Sequence, residues 1–340
     1  MRIAFFVNDI ATEKPSFTTT RLAKAAADAG HDVFHIGAED FAFSGERIIA
    51  RAHRGPSNSG SLEAFIEDRT EEEIVVDDLD VLMLRNNPSE EASERPWAQL
   101  TGLIYGDLAV ERGVLVLSHP GGLYKALNKL YLLAFPEEVR PRSVITRDDD
   151  EIKRFLDELG GRAVIKPLQG FGGRNVFFTN PEEDENLSQM IESVKRDGYV
   201  VVQEYLPAAD EGDIRMILVN GKPLQVEGRH ALFRRVPADT EKRSNMAAGG
   251  TAEAAEFDEA LTRIAEIVRP TLVRDGMFFV GIDVVGTKMI ELNVFSPGGL
   301  GSPHSLTGVD FAPEVISAIE RKLEERAERP GLSNVQLATL

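Results

Sequence analysis

The stretch FVGIDVVGTKMIELNVFSPGG, residues 279–299, is a pair of short apolar runs broken only at Gly286-Thr287-Lys288. Two β-branched and aromatic runs around so short a turn can only fold back as an antiparallel hairpin. Inside these runs stand Asp283, Glu291 and Asn293. A carboxylate among Val, Ile and Phe is costly to bury unless a cation or hydrogen-bond donors satisfy it. Two carboxylates and an amide oxygen are hard ligands of the kind Mg²⁺ takes when it also holds phosphate oxygens. Register decides whether they meet. A two-residue loop sets Asp283 opposite Ile290 and sends Glu291 to the other face. A three-residue loop over 286–288 sets Asp283 across from Glu291, with Asn293 on their face. Only the second register builds one metal site, so it is the one expected. Taken alone, the hairpin is equally compatible with carboxylates solvated on an outer face.

The 340 residues exceed what one core usually organises and suit two or three α/β units. The net charge of −18 repels a nucleic-acid backbone, so no polynucleotide partner is expected. An anionic nucleotide could bind only where Lys, Arg and metal gather locally. The absence of cysteine excludes disulfides, thiolate zinc sites and a thiol nucleophile. The first apolar run, Ile3 to Val7, ends at Asn8-Asp9, and no long apolar span follows. Neither a signal peptide nor a membrane helix is expected, which predicts a soluble cytoplasmic protein.

Along residues 1–120 the pattern alternates strand and helix, which predicts a parallel sheet. Strands are expected at Arg2–Val7, Val33–Ile36, Val81–Leu84 and Val114–Leu117, and helices at Phe17–Ala29 and Trp97–Arg112. A second unit, 121–203, is expected to hold helices at Leu123–Leu133, Asp148–Leu159 and Asp184–Arg196. Its strands are expected at Ala163–Lys166, Asn175–Phe178 and Tyr199–Glu204. The third, 204–328, opens on strand Arg215–Val219 and the hairpin turn Asn220-Gly221. Helix Phe257–Leu272 carries Phe257, Leu261, Ile264, Val268 and Leu272 on one face, and helix Pro313–Arg326 begins with proline. Residues 329–340 read as a loose tail.

Several motifs carry chemistry. In AVIKPLQGFGGRNV, Lys166 ends an apolar strand before Gly170, Gly172 and Gly173, a turn whose backbone N–H groups can close on phosphate. It lacks the Gly-Lys-Ser/Thr ending of a Walker loop and joins two strands. In NKLYLLAF, Lys129 sits among Leu130, Leu133 and Ala134. The segment Gln203-Glu204-Tyr205-Leu206-Pro207 can hinge two units and offer backbone to an adenine edge, with Asp213 suited to a ribose hydroxyl. Arg215, among Ile214, Met216 and Ile217, needs an anionic partner. RRVPADTEKRSNMAAGG holds Arg234, Arg235 and Arg243 in a weakly periodic segment, suited to a loop that closes over an anion.

In this order the motifs resemble an ATP-grasp carboxylate–amine ligase, and within it the bacterial glutathione synthetase family. The fragments that carry the likeness are VNDIA, LDVLMLRNNP, NKLYLLAF, VIKPLQGFGG, QEYLPA, GDIRMILVNG, RVPADTEKRSNMAAGG and FVGIDVVG…IELNVFSP. The resemblance implies an α/β ATP-grasp fold: an N-terminal parallel α/β substrate domain, a central lid and a C-terminal antiparallel-sheet domain. It implies ATP as co-substrate, phosphate contacts from Lys129, Lys166 and the 170–173 turn, and adenine contacts from Gln203 to Leu206 and Ile290. Asp213 would touch the ribose, and Asp283, Glu291 and Asn293 would bind two Mg²⁺, with Mn²⁺ as a substitute. Arg215, Arg235, Arg243 and Asn245 would meet the transferred phosphate and the peptide, whose entrance Asn8 to Ile10 and Arg85 would line. The implied partners are small molecules, an acidic peptide and an amino acid; a homo-oligomer is also implied.

The chain departs from the family pattern twice. More sequence separates the 220–221 turn from Arg235, and GGLGSPHSLTGVDF follows Pro297 where Thr and Ile-Arg-Glu are expected. Ser302, His304 and Ser305 stand where the missing arginine and glutamate would hold the amine. Three readings stay open: γ-glutamylcysteine joined to glycine, the same chemistry on another acid and amine, and a nucleotide-binding protein without turnover.

Overall fold

The computed structural model describes residues 1–91, 95–170, 174–180, 186–237 and 250–340. Three principal sheets organise them. The first has seven strands. Asp32–Ile36, Arg2–Phe6, Val81–Leu84 and Leu115–Leu117 run parallel in that spatial order. Their residues are almost all buried, as strands covered on both faces require. Helices Thr18–Asp28 and Ala312–Glu328 supply apolar cover through Leu22, Ala23 and Ala26 and through Val315, Ile316 and Ile319.

The four expected strands do run parallel, but the sheet as a whole is mixed. Phe41–Ser44, Arg47–Arg54 and Thr70–Val75 extend the sheet antiparallel, through Arg47–Arg54 against Asp32–Ile36. Arg47–Arg54 buries Ile48, Ala50 and Ala52 and exposes Arg47 and Arg51, so this wing has one solvated face. Alanines at two of these three buried positions weaken the alternation that marks a strand.

The second sheet is antiparallel, in the order Phe177–Thr179, Ala163–Pro167, Val200–Glu204, Ser143–Thr146. Helices Asp149–Glu158 and Leu187–Arg196 bury Ile152, Leu156, Ile191 and Val194 against Ile165 and Val202. Asp148 caps the first by accepting the Asp150 and Glu151 N–H groups at 2.9 and 3.0 Å, and Gly160 and Gly161 end it at positive φ.

The third sheet, also antiparallel, runs Thr251–Glu253, Leu232–Val236, Asp213–Val219, Phe279–Val285, Lys288–Asn293, with Lys222–Pro223 against Asp213–Val219. Helix Glu259–Arg274 covers one face through Leu261, Ile264, Val268 and Leu272, and Phe257 lies just before it.

Two further expectations change. Residues 123–133 are not one helix: Pro120–Lys125 stops, and a 3₁₀ helix restarts at Lys129–Ala134. The Asn128 side chain accepts the Leu130 N–H at 3.0 Å, and the Lys129 N–H goes to Leu168 O at 3.2 Å instead of an upstream carbonyl. Nor is the C-terminal segment loose. Leu337 and Ala338 are buried, and the Asn334 side chain accepts from the Val116 N–H at 2.8 Å and donates to its carbonyl at 2.9 Å. It mimics another strand beside Leu115–Leu117. Asn334→Ala should therefore strand both Val116 groups and cost about 1–3 kcal/mol, read as a lower urea midpoint with unchanged m.

Candidate active site

Strand pairing brings the candidate side chains onto one face of the third sheet. Asp213 pairs with Arg235, and Arg215 with Asp283. Asp283 pairs in turn with Glu291, and Gly281 with Asn293. Cross-strand partners share a face, as do residues two apart along a strand. Asp213, Arg215, Arg235, Asp283, Glu291 and Asn293 thus line up on the face opposite helix Glu259–Arg274.

The Asp283–Glu291 register is the expected one, but its cause is different. The loop is the two-residue Gly286-Thr287, because Val285 pairs with Lys288 and Val284 with Met289. A β-bulge then skips Ile290, and the ladder resumes at Asp283–Glu291. Two-residue turns match strand twist better than three-residue ones, and a bulge restores a register that such a turn would miss by one.

Asp283 is fully buried and shared between two guanidinium groups. Arg215 Nε donates to Oδ1, Arg215 Nη2 to Oδ2 at 2.8 Å, and Arg235 Nη2 lies 2.7 Å from Oδ2. Arg235 Nε also donates to Asp213 Oδ1 at 2.7 Å. Burial alone would drive the Asp283 carboxyl upward; Arg215 and Arg235 outweigh it and hold the pKa below the usual carboxylate range. Burial likewise opposes the Arg235 charge, and Asp283 with Asp213 raises its pKa nonetheless. Removing one member leaves an uncompensated buried charge. Gly281 permits the arrangement: a Cβ there would stand 3.3 Å from Arg215 Cδ and 3.2 Å from Pro297 Cβ.

Beside this cluster lies a cavity between the second and third sheets. Lys129, Lys166, Gly170, Gln203, Ile290, Glu291 and Asn293 line it, with Val201, Ile145 and Leu292 as apolar wall. Lys129 Nζ donates to Gly170 O at 3.1 Å, and Gly170 takes φ +131, open to glycine alone. Burial and then the Lys129 charge push Lys166 down to about 8, with Glu291 and Asp283 pulling the other way. Burial also lowers Lys129, against the pull of Glu291. Both ammonium groups thus act on the Glu291 carboxylate from across the cavity.

Not every expected residue reaches this wall. Glu204 accepts the Arg142 N–H at 2.9 Å, Tyr205 donates its hydroxyl to Asp210, and Leu206 precedes a 3₁₀ turn; of this hinge only Gln203 faces the cavity. Asp213 is buried against Arg235. Gly172, Gly173, Arg243 and Asn245 lie outside the described residues. His304 contacts Val309 O at 3.2 Å and is not part of the cavity.

Among the described residues no group of three His, Cys, Asp or Glu side chains could hold a metal. The donor set here is instead two carboxylates and an amide. Asn293 Nδ2 stands 3.4 Å from Asp283 Oδ2; Oδ2 already accepts from Arg215 and Arg235, whereas Oδ1 keeps a lone pair beyond Arg215. These oxygens fit Mg²⁺, with Glu291 the more accessible carboxylate.

The N-terminal unit contributes the expected Arg85 together with Asn87 to Ser89 and Glu13, which the sequence reading missed. Asn87 to Ser89 line the same cavity. Arg85 is buried, donating from Nε to Thr19 Oγ1 at 3.2 Å and from Nη2 to Pro297 O at 3.0 Å. The next carbonyl, Gly298 O, accepts from Arg215 Nη1 at 3.1 Å. Arg85 and Arg215 are thus anchored by consecutive peptide groups. Burial pulls Arg85 down to about 10, and Glu13 offsets part of that. Glu13 has a buried Oε2 without a partner; no spacing in the sequence marks it.

The model of the prokaryotic glutathione synthetase ATP-grasp domain matches residues 128–307, and that of the family's N-terminal domain matches residues 1–123. The chain belongs to the prokaryotic glutathione synthetase family. The glutathione synthetase of Synechococcus elongatus is 34% identical over 94% of this chain and 98% of its own length. That of Gloeobacter violaceus is 35% identical over 93% and 95%. Among solved structures, D-cycloserine synthetase DcsG superposes with a TM-score of 0.64 at 15% identity, covering 94% of this chain and 99% of its own. The ATP-grasp ligase PsnB, in complex with minimal precursor, Mg and ADP, gives 0.59 at 16% identity, covering 94% and 98%. At such identities these structures speak for the ATP-grasp fold alone.

Glu13 supplies a pH prediction. Burial pushes its carboxyl from 4.5 up to about 7, against Arg85 and Arg69. The folded chain therefore keeps a proton that the unfolded chain releases, and stability falls as pH rises through this window. Glu13→Gln should match the parent near pH 4.5 and exceed it by about 1–3 kcal/mol at pH 8. Denaturant midpoints across the range read this; equal stabilities at pH 8 would contradict it.

Proposed function

We propose that the chain joins a carboxylate to an amine with ATP, through an acyl phosphate, and that γ-glutamylcysteine and glycine are its substrates. The observation that carries this is the single sheet face on which Arg215, Arg235, Asp283, Glu291 and Asn293 meet, next to a cavity holding Lys129 and Lys166. Family membership and curated relatives named glutathione synthetase support the substrate pair.

The apolar wall with Gln203 and Ile290 would hold the base, and Lys129, Lys166 and Gly170 would hold the phosphates. Glu291, Asn293 and Asp283 would hold two Mg²⁺, with Mn²⁺ as a substitute, and the metal would supply charge neutralisation at the phosphates. Arg215 and Arg235, poised on Asp283, can turn donors toward the transferred phosphoryl group as its charge spreads. Arg85, on the N-terminal unit, would stand at the peptide's entrance. Attack of the peptide carboxylate on the γ-phosphorus releases ADP; attack of the amine on the acyl phosphate then releases phosphate. No side chain need form a covalent bond, which suits a chain without cysteine.

ADP release across a panel of acids and amines tests this. Turnover with γ-glutamylcysteine only in the presence of glycine is expected; turnover only with another pair would replace the substrates and keep the chemistry. Tight ATP binding without turnover on any pair would leave a binding protein. For the metal, Glu291→Gln is a cleaner probe than any change at Asp283, whose loss strands two arginines. We expect Glu291→Gln to lose about 10²-fold or more in kcat while its thermal midpoint stays near the parent's; full Mg²⁺-dependent turnover would refute the assignment. Asp283→Asn should instead lower folding stability by about 3–5 kcal/mol, visible in urea unfolding.

A further inference from the structure

We propose that Asp275 is a positioning residue for the nucleotide site, acting through Tyr131 on the 3₁₀ helix that begins with Lys129. The inference rests on the nucleotide reading of the cavity and adds a residue outside its wall.

The Asp275 side chain has no solvent exposure, yet it receives four donors. Tyr131 OH donates to Oδ2 at 2.9 Å and Lys125 Nζ to Oδ1 at 2.7 Å. Arg274 Nε and Nη2 reach the two oxygens at 3.0 and 2.9 Å. Burial opposes the charge, and the Arg274, Lys125 and Tyr131 hydrogen bonds overcome it, holding the carboxyl down to about 2. Such a carboxylate stays ionised at every working pH. Arg274 is its neighbour in the chain, but Lys125 and Tyr131 lie 150 and 144 positions upstream.

The surrounding backbone presses the two segments together. His119 N–H donates to Gly276 O at 3.0 Å, and Phe278 N–H to Ser118 Oγ at 3.0 Å. A Cβ on Gly122 would stand 1.9 Å from Asp275 O, and one on Gly276 would stand 2.6 Å from His119 Cβ. No side chain fits at either place, so residues 118–125 are laid directly on 274–278.

From this junction the chain has only a few residues before it must deliver Lys129. The restarted helix Lys129–Ala134 is one short 3₁₀ stretch, and such stretches hold their shape poorly unless tied to something. Tyr131 is the tie. Its ring packs edge-on against Phe135 at 5.5 Å, and its hydroxyl ends on Asp275. Lys129, two residues earlier, then reaches Gly170 O and the cavity. Lys125 and Arg274 are more than half exposed and serve chiefly to keep Asp275 charged.

The test is the Kd of Mg·ADP by calorimetry, alongside thermal midpoints, for the parent, Tyr131→Phe, Asp275→Asn, Lys129→Met and the pair Lys129→Met/Tyr131→Phe. Tyr131→Phe keeps the packed ring and should fold even if Asp275→Asn does not. We expect Tyr131→Phe to weaken Mg·ADP about tenfold, with the KM of the peptide substrate unchanged. The double variant should bind no more weakly than Lys129→Met alone, because Tyr131 acts through that lysine. A lowered midpoint with unchanged Kd would make the contact merely structural and overturn the proposal, as would additive losses in the double variant. Failure of the parent to bind Mg·ADP would overturn the nucleotide reading and this inference together; binding by the parent with Tyr131→Phe unaffected would overturn only the inference.

Discussion

A carboxylate sealed from water and divided between two guanidinium groups sits at the middle of the third sheet, and much of the site is arranged around it. Asp283 could not stay ionised there without Arg215 and Arg235, and neither arginine could stay buried without Asp283. The pairing adds little net stability compared with apolar packing of the same volume, but it holds charges where water cannot screen them. The guanidinium donors on this face are thus already desolvated and oriented. Among the described residues, Arg215, Arg235, Lys129 and Lys166 stand against Asp213, Asp283 and Glu291, so the site is nearly charge-balanced in a chain of net −18. An anion bound with its own metal would leave that balance almost unchanged, so the proposed nucleotide site is compatible with a chain this acidic.

The hairpin shows where chemical reasoning from sequence succeeds and where stereochemical reasoning does not. That Asp283 faces Glu291 follows from asking which register lets three oxygen ligands meet. How the chain reaches that register does not follow, because two routes give the same pairing downstream. The structure takes the tighter turn and omits Ile290 from the ladder. The omitted residue is then free to line the cavity wall. One bulge both aligns the carboxylates and supplies apolar surface to the cavity.

Elsewhere, legibility tracks how local the deciding interaction is. The Asp148 cap, the paired glycines ending its helix and the Asn220-Gly221 turn depend on residues within five positions, and the sequence marks them. The buried parallel strands announce themselves as unbroken apolar runs. By contrast, the antiparallel wing over residues 41–75 relies on Ala50 and Ala52, whose small side chains hardly raise local hydrophobicity. Nothing local marks Tyr131, because its partner, Asp275, is 144 positions away. The C-terminal segment read as loose because Asn334 gains its role only where it meets Val116.

The segment after Pro297, which departs from the family pattern, has a physical role that its composition conceals. Its side chains bring no charge to the cleft; its carbonyls do the holding, Pro297 O on Arg85 and Gly298 O on Arg215. Gly299, at φ +115, lies so close to Phe233 that a Cβ would stand 3.0 Å from the ring, and its N–H donates to Thr18 Oγ1. A backbone packed this tightly between two units needs glycine, and glycine leaves no arginine or glutamate to grip an amine substrate. His304 is turned to Val309 and does not replace them. What the segment contributes is therefore backbone: its consecutive carbonyls fix Arg85 and Arg215 in place, while the side chains of the family pattern have no counterpart on it.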